Sequence, residues 1–109
     1  MKVLGKVPPE RRQAALESVE DEIRGERARA LARTIRSLEQ ALADLEHPPA
    51  RRHPPTREEL LAEAAERLWF AVIQREALGL PRHEEFLREL RVPPEVIGAM
   101  GPRRPRRGT

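Results

Sequence analysis

The 109-residue chain contains no cysteine and no tyrosine, and its aromatic side chains are one tryptophan and two phenylalanines. Without cysteine the chain can form no disulfide and no thiolate metal site, which fits a reducing compartment, so we expect a cytoplasmic protein. The chain also lacks a run of about 20 apolar residues, so its sequence predicts no membrane span. The first nine residues lack the apolar stretch of a signal peptide.

Side chains that could carry catalysis are scarce. Two serines are present, Ser18 and Ser37, and both fall inside a predicted helix. The chain has no glycine-rich phosphate loop and no Gly-x-Ser-x-Gly elbow. His47 and His53 lie six residues apart in proline-rich sequence, with Glu46 as the one nearby carboxylate, which is not the spacing of a metal site. We therefore expect no enzyme, no cofactor and no bound metal.

Four Pro-Pro pairs divide the chain, at residues 8–9, 48–49, 54–55 and 93–94. Each pair marks a boundary, because proline lacks an N–H and disfavours helix in the residue before it. The segments between them are rich in Ala, Leu, Arg and Glu, which predicts an all-α fold. The predicted parts are a flexible N-terminus (1–9), a single helical domain (10–101) with helices at about 10–46, 56–78, 82–90 and 94–100 and a proline-rich connector (47–55), and a disordered basic tail (102–109).

The first predicted helix is long, about 55 Å at 1.5 Å per residue. Its apolar residues form two sets: Leu16, Val19 and Ile23, and then Leu31, Ile35, Leu38, Leu42 and Leu45. The second set is rotated by roughly 80–90° from the first. Since the shift falls at Gly25, we expect a bend, a register change or a new packing partner there.

The second predicted helix has clear ends. Thr56 and Glu59 fit a capping box, and Gly79 fits a left-handed residue just after the helix. We expect this helix to be central and buried, with the long amphipathic N-terminal helix packed on it and two short C-terminal helices closing the domain. The short helices are expected to bury Phe86, Leu87, Leu90, Val96, Ile97 and Met100.

The polar side of the second helix disappears after Arg67, because Phe70, Ile73 and Ala77 occupy it. A helix that is apolar all round is typically buried all round. We therefore expect residues 68–80 to be enclosed by other helices or by another chain.

Gln74, Arg75 and Glu76 interrupt this apolar segment. Neither charge has an opposite charge three or four residues away, and a buried charge without a partner is costly. We expect both to find partners on other segments, with a ligand or partner-protein site as the alternative and catalysis least favoured. His83 is expected on the surface, at the start of the next helix.

A further pattern joins this segment to the C-terminal helices: Trp69-x4-Gln74-Arg75-Glu76-Ala77-Leu78-Gly79-Leu80, followed by a short helix and Val92-Pro93-x-Glu95-Val96-Ile97. Over about residues 60–101 it resembles a family of short bacterial helical proteins of unknown function. The resemblance implies an all-helical fold and transfers no activity, ligand or functional residue.

Charge along the first predicted helix is divided into two blocks. Residues 17–26 sum to −4 and residues 27–36 to +4, so two antiparallel copies would match acid to base. The second helix is only about 33–35 Å long and cannot cover the whole apolar stripe of the first. We expect a non-enzymatic interaction or scaffold protein that forms a homodimer, or binds another helical protein, through residues 10–46. The candidate self-association stripe is Leu31, Ile35, Leu38, Leu42 and Leu45.

Two other possibilities stay open. One is that the protein is a monomeric bundle whose first helix breaks near Gly25 and folds back. The other is that the protein binds a small apolar ligand near Trp69.

Nucleic acid is the alternative partner. The net charge is +3, and the excess arginine lies in the connector and the C-terminal tail. Four tail residues are candidate non-specific phosphate contacts: Arg103, Arg104, Arg106 and Arg107. This partner is not favoured, because the predicted helices are acidic. The helix pair within residues 84–100 has helix-turn-helix spacing, but its second helix offers only Glu95 to meet bases.

Overall fold

The computed structural model describes residues 7–101, and within that range it contains four helices and no strand. They are α1 (Pro9–Glu46), α2 (Arg57–Ala77), α3 (Glu84–Glu89) and α4 (Pro94–Gly98). The predicted all-α fold is confirmed, including a long N-terminal helix packed on a second helix. The predictions for residues 1–6 and for the tail, with its four arginines, lie outside the described residues.

α1 is an uninterrupted helix of 38 residues. It starts at Pro9, where the missing N–H costs nothing, and the carbonyl of Pro8 accepts from the N–H groups of Arg11 and Arg12. The helix continues through Gly25, so the bundle in which it breaks and folds back is wrong. A single glycine costs a helix only about 1 kcal/mol relative to alanine, and the residues around it are strong helix formers.

α1 and α2 form an antiparallel hairpin. Leu45 and Glu46 line a groove together with Arg57, at the start of α2. Ile23 lines another groove together with Gly79, just beyond the end of α2. The buried residues between the two helices are leucines and alanines, and the small alanines allow a close approach: Leu31, Leu38, Ala41 and Leu45 from α1, and Leu60, Ala64, Ala65, Leu68 and Ala71 from α2.

Both predicted ends of α2 are confirmed. The Thr56 side chain accepts from the Glu59 N–H, and the Glu59 side chain accepts from the Thr56 N–H, which completes the capping box. At the other end Gly79 has φ +82°. The Leu80 N–H donates to the Arg75 carbonyl in the pattern of a Schellman motif, which turns the chain back toward α3.

The short helices cover less than the sequence predicts. Phe86 is buried, and Val96 of α4 is fully buried in the core. Leu87 and Leu90 are partly buried against the same core. Ile97 and Met100 are exposed, so the prediction that they pack back on the core is wrong. α4 has only five residues, too few to turn more than one narrow face toward α2.

Candidate interaction surfaces

The N-terminal half of α1 extends beyond the hairpin. At 1.5 Å per residue the 38 residues of α1 span about 57 Å and the 21 residues of α2 about 32 Å. Glu20, Ile23 and Arg27 line a groove with Gly79 at the end of α2, so the part of α1 before Glu20 extends beyond α2. We call residues 9–23 the projecting half and residues 31–46 the packed half.

Three large apolar side chains are exposed in and at the end of the projecting half. Leu16 is 59% exposed, Val19 51% and Ile23 46%. Their spacing of three and four residues places them on one face of the helix. We refer to Leu16, Val19 and Ile23 as the projecting stripe.

The stripe predicted for self-association lies elsewhere. Leu31, Leu38 and Leu45 are buried in the hairpin core, and Ile35 and Leu42 pack against that core. Within one chain these five side chains already pack in or against the hydrophobic core, so they are not a free surface. The sequence showed that the second helix is too short to cover the whole of the first, but it did not show which part α2 would cover.

Ion pairs on α1 mark the point where its charge changes sign. The Glu26 carboxylate accepts from Arg29 at 3.0 Å and from Arg33 at 3.4 Å. These bonds, first that from Arg29, hold the pKa of Glu26 below its usual value although the carboxyl is exposed. Asp21 pairs with Arg24 at 3.5 Å. The acidic block thus ends, and the basic block begins, in a solvent-exposed segment.

α2 carries a second exposed apolar face, on the side opposite α1. Phe70 is 37% exposed and Ile73 43%, and Leu80 beyond the helix end is also exposed. The prediction that residues 68–80 are enclosed on all sides is therefore wrong for the single chain. Trp69 is half-buried, with its ring centroid 5.4 Å from that of Phe70.

Arg75 and Glu76 meet His83 across the turn at Gly79. Arg75 Nε donates to His83 Nδ1 at 3.1 Å, and Arg75 Nη2 donates to the carbonyl of Arg82 at 2.7 Å. The guanidinium also lies 4.6 Å from the ring centroid of Phe86, in a cation–π contact. Thus Arg75 finds its partners on another segment, as the sequence predicts.

His83 connects the two charges. Since its Nδ1 accepts from Arg75, its proton lies on Nε2, which is 3.2 Å from Glu76 Oε2 and donates to it. The His83 side chain is only 17% exposed, so its predicted surface position is wrong. Sequence reasoning missed this residue because the partners are seven and eight positions apart and meet only through the left-handed turn.

Gln74 does not join this cluster. Its Oε1 is buried and accepts no hydrogen bond within residues 7–101. The three residues proposed as one polar cluster are therefore divided, with Arg75 and Glu76 held by His83 and Gln74 apart from them. The contacts of Arg75 and Glu76 are those of a structural tie between α2 and α3.

An ion pair that the sequence did not predict ties α4 to the start of α2. Arg57 forms a two-bond contact with the Glu95 carboxylate, with Nη1 to Oε2 at 3.1 Å. The hydrogen bonds from Arg57 lower the pKa of Glu95 below its usual value. Because the partners are 38 residues apart, no local pattern reveals them. The side chain that could have met bases in a helix-turn-helix is engaged here.

Among residues 7–101, no group of three or more His, Asp or Glu side chains could hold a metal ion. In the same range no helix is long and apolar enough to cross a membrane.

Comparison with known proteins places the chain in a family. Residues 1–106 match the family of unknown function DUF6665, so the chain belongs to that family. No curated protein and no solved structure matches it. This protein is therefore a small all-helical member of DUF6665.

Proposed function

We propose that this protein is a non-enzymatic interaction module that self-associates through α1, with a homodimer as its working form. The observation that carries the proposal is the projecting stripe, since Leu16, Val19 and Ile23 are each about half exposed on a helix that extends past its partner. Contiguous exposed apolar side chains on a soluble helix are typical of a binding surface.

The distribution of charge supports the choice of a second copy as partner. Residues 17–26 carry −4 and residues 27–36 carry +4, so α1 is complementary to a reversed copy of itself. The proposed contact differs from the one expected from the sequence, because Leu31, Ile35, Leu38, Leu42 and Leu45 lie in the core. Within residues 7–101, the exposed large apolar side chains of α1 are those of the projecting stripe.

Solution mass tests the proposal. We expect light scattering of the full chain to give a dimer at high concentration that dissociates on dilution, and a Leu16→Asp variant to stay a monomer. Ala14→Asp is the matched control, since Ala14 is exposed on the opposite side of the same helical segment and the charge change is identical. A wild-type chain that is monomeric at every concentration would contradict the proposal.

A nucleic-acid-associated role is the second candidate. The observation in its favour is that Arg51 and Arg52 are both exposed in the connector between α1 and α2. Together with Arg103, Arg104, Arg106 and Arg107 they would contact phosphates without sequence preference. Salt-sensitive binding to random-sequence DNA that is lost on removing residues 102–109 would favour this role over self-association.

We also propose that the protein works in a bacterial cytoplasm and that the segment from Trp69 to Leu80 is characteristic of its family. The absence of cysteine supports a reducing compartment. An alignment of DUF6665 members tests the second statement. Family sequences in which Trp69, Gln74 and Gly79 are replaced freely would contradict it.

A further inference from the structure

We infer that the two copies pair antiparallel along one continuous face of α1, with the two-fold axis beside Glu26 and Arg27. The projecting stripe of each copy then lies against Ala30, Thr34 and Ser37 of the other. This inference rests on the proposed self-association and specifies its orientation, register and contact residues.

The charges set both the direction and the centre of the pairing. The acidic block 17–26 and the basic block 27–36 have equal length and opposite sums, and they meet between Glu26 and Arg27. A parallel pair would place acid beside acid and base beside base, which is unfavourable. An antiparallel pair centred between residues 26 and 27 places each acidic block along the basic block of the other copy.

The side chains are complementary in size for the same centre. In that register Leu16 lies level with Ser37 of the other copy, Val19 with Thr34, and Ile23 with Ala30. At about 100° per residue all six positions fall within roughly 60° of one another on α1. Each large apolar side chain therefore lies opposite a small one, which lets the two helices approach closely.

The required face is only partly covered within residues 7–101. Ala30, Thr34 and Ser37 are half-buried beside the hairpin core, so α2 does not cover them completely. The packed stripe is rotated by roughly 90° from this face, which leaves room for a second helix next to α2.

The outer face of α2 is a less suitable partner for the projecting stripe. Residues 57–69, which precede Phe70 on α2, sum to −2, from four glutamates and two arginines. The projecting half lies in and beside the acidic block of α1, so the two surfaces would repel. The basic block that compensates this charge is on α1 itself.

Single cysteines test the register, because the full chain has no cysteine of its own. In the inferred pair the two copies of residue 16 are about 32 Å apart, far beyond the roughly 7 Å between Cα atoms that a disulfide spans. We therefore expect Leu16→Cys alone to stay uncross-linked under mild oxidation. Leu16→Cys mixed with Ser37→Cys should give a disulfide-linked dimer, and Arg27→Cys should cross-link to itself. Ala14→Cys mixed with Ser37→Cys is the control that should not cross-link, because Ala14 lies on the opposite face.

Light scattering on the same reduced variants separates the two proposals. A dimer in which Leu16→Cys cross-links to itself would be parallel and would overturn this inference while leaving self-association intact. A dimer in which the Leu16→Cys and Ser37→Cys mixture fails to cross-link would overturn the register. Reduced chains that are folded by circular dichroism and monomeric at every concentration would overturn both proposals.

Discussion

The two halves of α1 are similar in helix-forming composition and opposite in environment. The packed half buries Leu31, Leu38 and Leu45 against α2. The projecting half leaves Leu16 and Val19 more than half exposed, because most of it extends past the end of α2. Both are continuous helix. Helical structure and burial are therefore separate properties of this segment.

The difference lies in what stabilises each half. The packed half gains from removing apolar surface from water, at about 25 cal/mol per Å². The projecting half relies on helix propensity and on exposed side-chain pairs such as Gln13–Glu17 and Asp21–Arg24. Such pairs contribute only about 0.2–0.5 kcal/mol each, and isolated helices of this length are marginal in water. A second copy would supply the missing burial.

The largest expected effect comes from placing a charge in each half. Leu38→Asp puts a carboxylate at a fully buried position, and we expect it to destabilise the fold by more than about 4 kcal/mol. Leu16→Asp, at 59% exposure, should change the stability of the monomer by less than about 0.5 kcal/mol. Urea unfolding followed by circular dichroism at low concentration measures both. Equal losses would show that the halves do not differ as described.

The second-largest effect is expected in hydrogen exchange, where the amides of the two halves of α1 should differ in protection. At dilutions where the chain is monomeric, amides of residues 12–22 should exchange by local opening, whereas those of residues 31–45 should need opening of the whole hairpin. Mass spectrometry of peptides from the two segments measures this difference. Uniform protection along α1 in the monomer would contradict it. Protection of residues 12–22 that rises with concentration would locate the contact between copies.

A smaller effect is expected at the turn at Gly79, where α2 ends and stops covering α1. Gly79→Ala forces a side chain into φ +82° and should destabilise the chain by about 1 kcal/mol. Arg91, just after α3, is the matched position, because it has φ 53° but is not a glycine. The expected change in stability there has the opposite sign. There Arg91→Gly should leave stability unchanged or raise it by up to about 1 kcal/mol. Thermal unfolding of the two variants measures both changes, and a loss at both positions would contradict this account of the turns.

The smallest effect is expected at two exposed carboxyl groups, one in a contact between two helices and one in a contact within a single helix. Glu95 ties α4 to α2, whereas Glu26 pairs within α1. Both have lowered pKa values, through hydrogen bonds first from Arg57 and first from Arg29, respectively. The stability that each ionised carboxylate gives to the fold is therefore present above the unfolded pKa near 4.5. It is lost as the pH falls through the lowered pKa of the folded state.

We expect Glu95→Gln to lower the urea midpoint slightly at pH 7 and to match the wild type near pH 3. Glu26→Gln should change the midpoint less at either pH, because its partners lie on the same exposed helix. A deficit of Glu95→Gln that persists unchanged at low pH would show that the ion pair is not its cause.

Contacts between residues that are close in the sequence could be predicted, whereas contacts between distant residues could not. The capping box of Thr56 and Glu59 and the turn at Gly79 could be predicted, because each depends on residues within a few positions. The Arg57–Glu95 pair and the His83 contacts could not, because the chain brings those groups together only after it turns back. The exposure of Phe70 and Ile73 was missed because an apolar helix face does not reveal whether a partner exists.

Local sequence patterns specify that this protein is helical and where its helices begin and end to within a few residues. They also specify that α1 carries two apolar stripes, with the second rotated relative to the first near Gly25. These follow from propensity, capping and periodicity, which act over one or two turns. Tertiary structure decided which stripe is buried. α2 starts at the C-terminal end of α1 and has 21 residues to the 38 of α1. It therefore covers Leu31 to Leu45 and leaves Leu16, Val19 and Ile23 exposed.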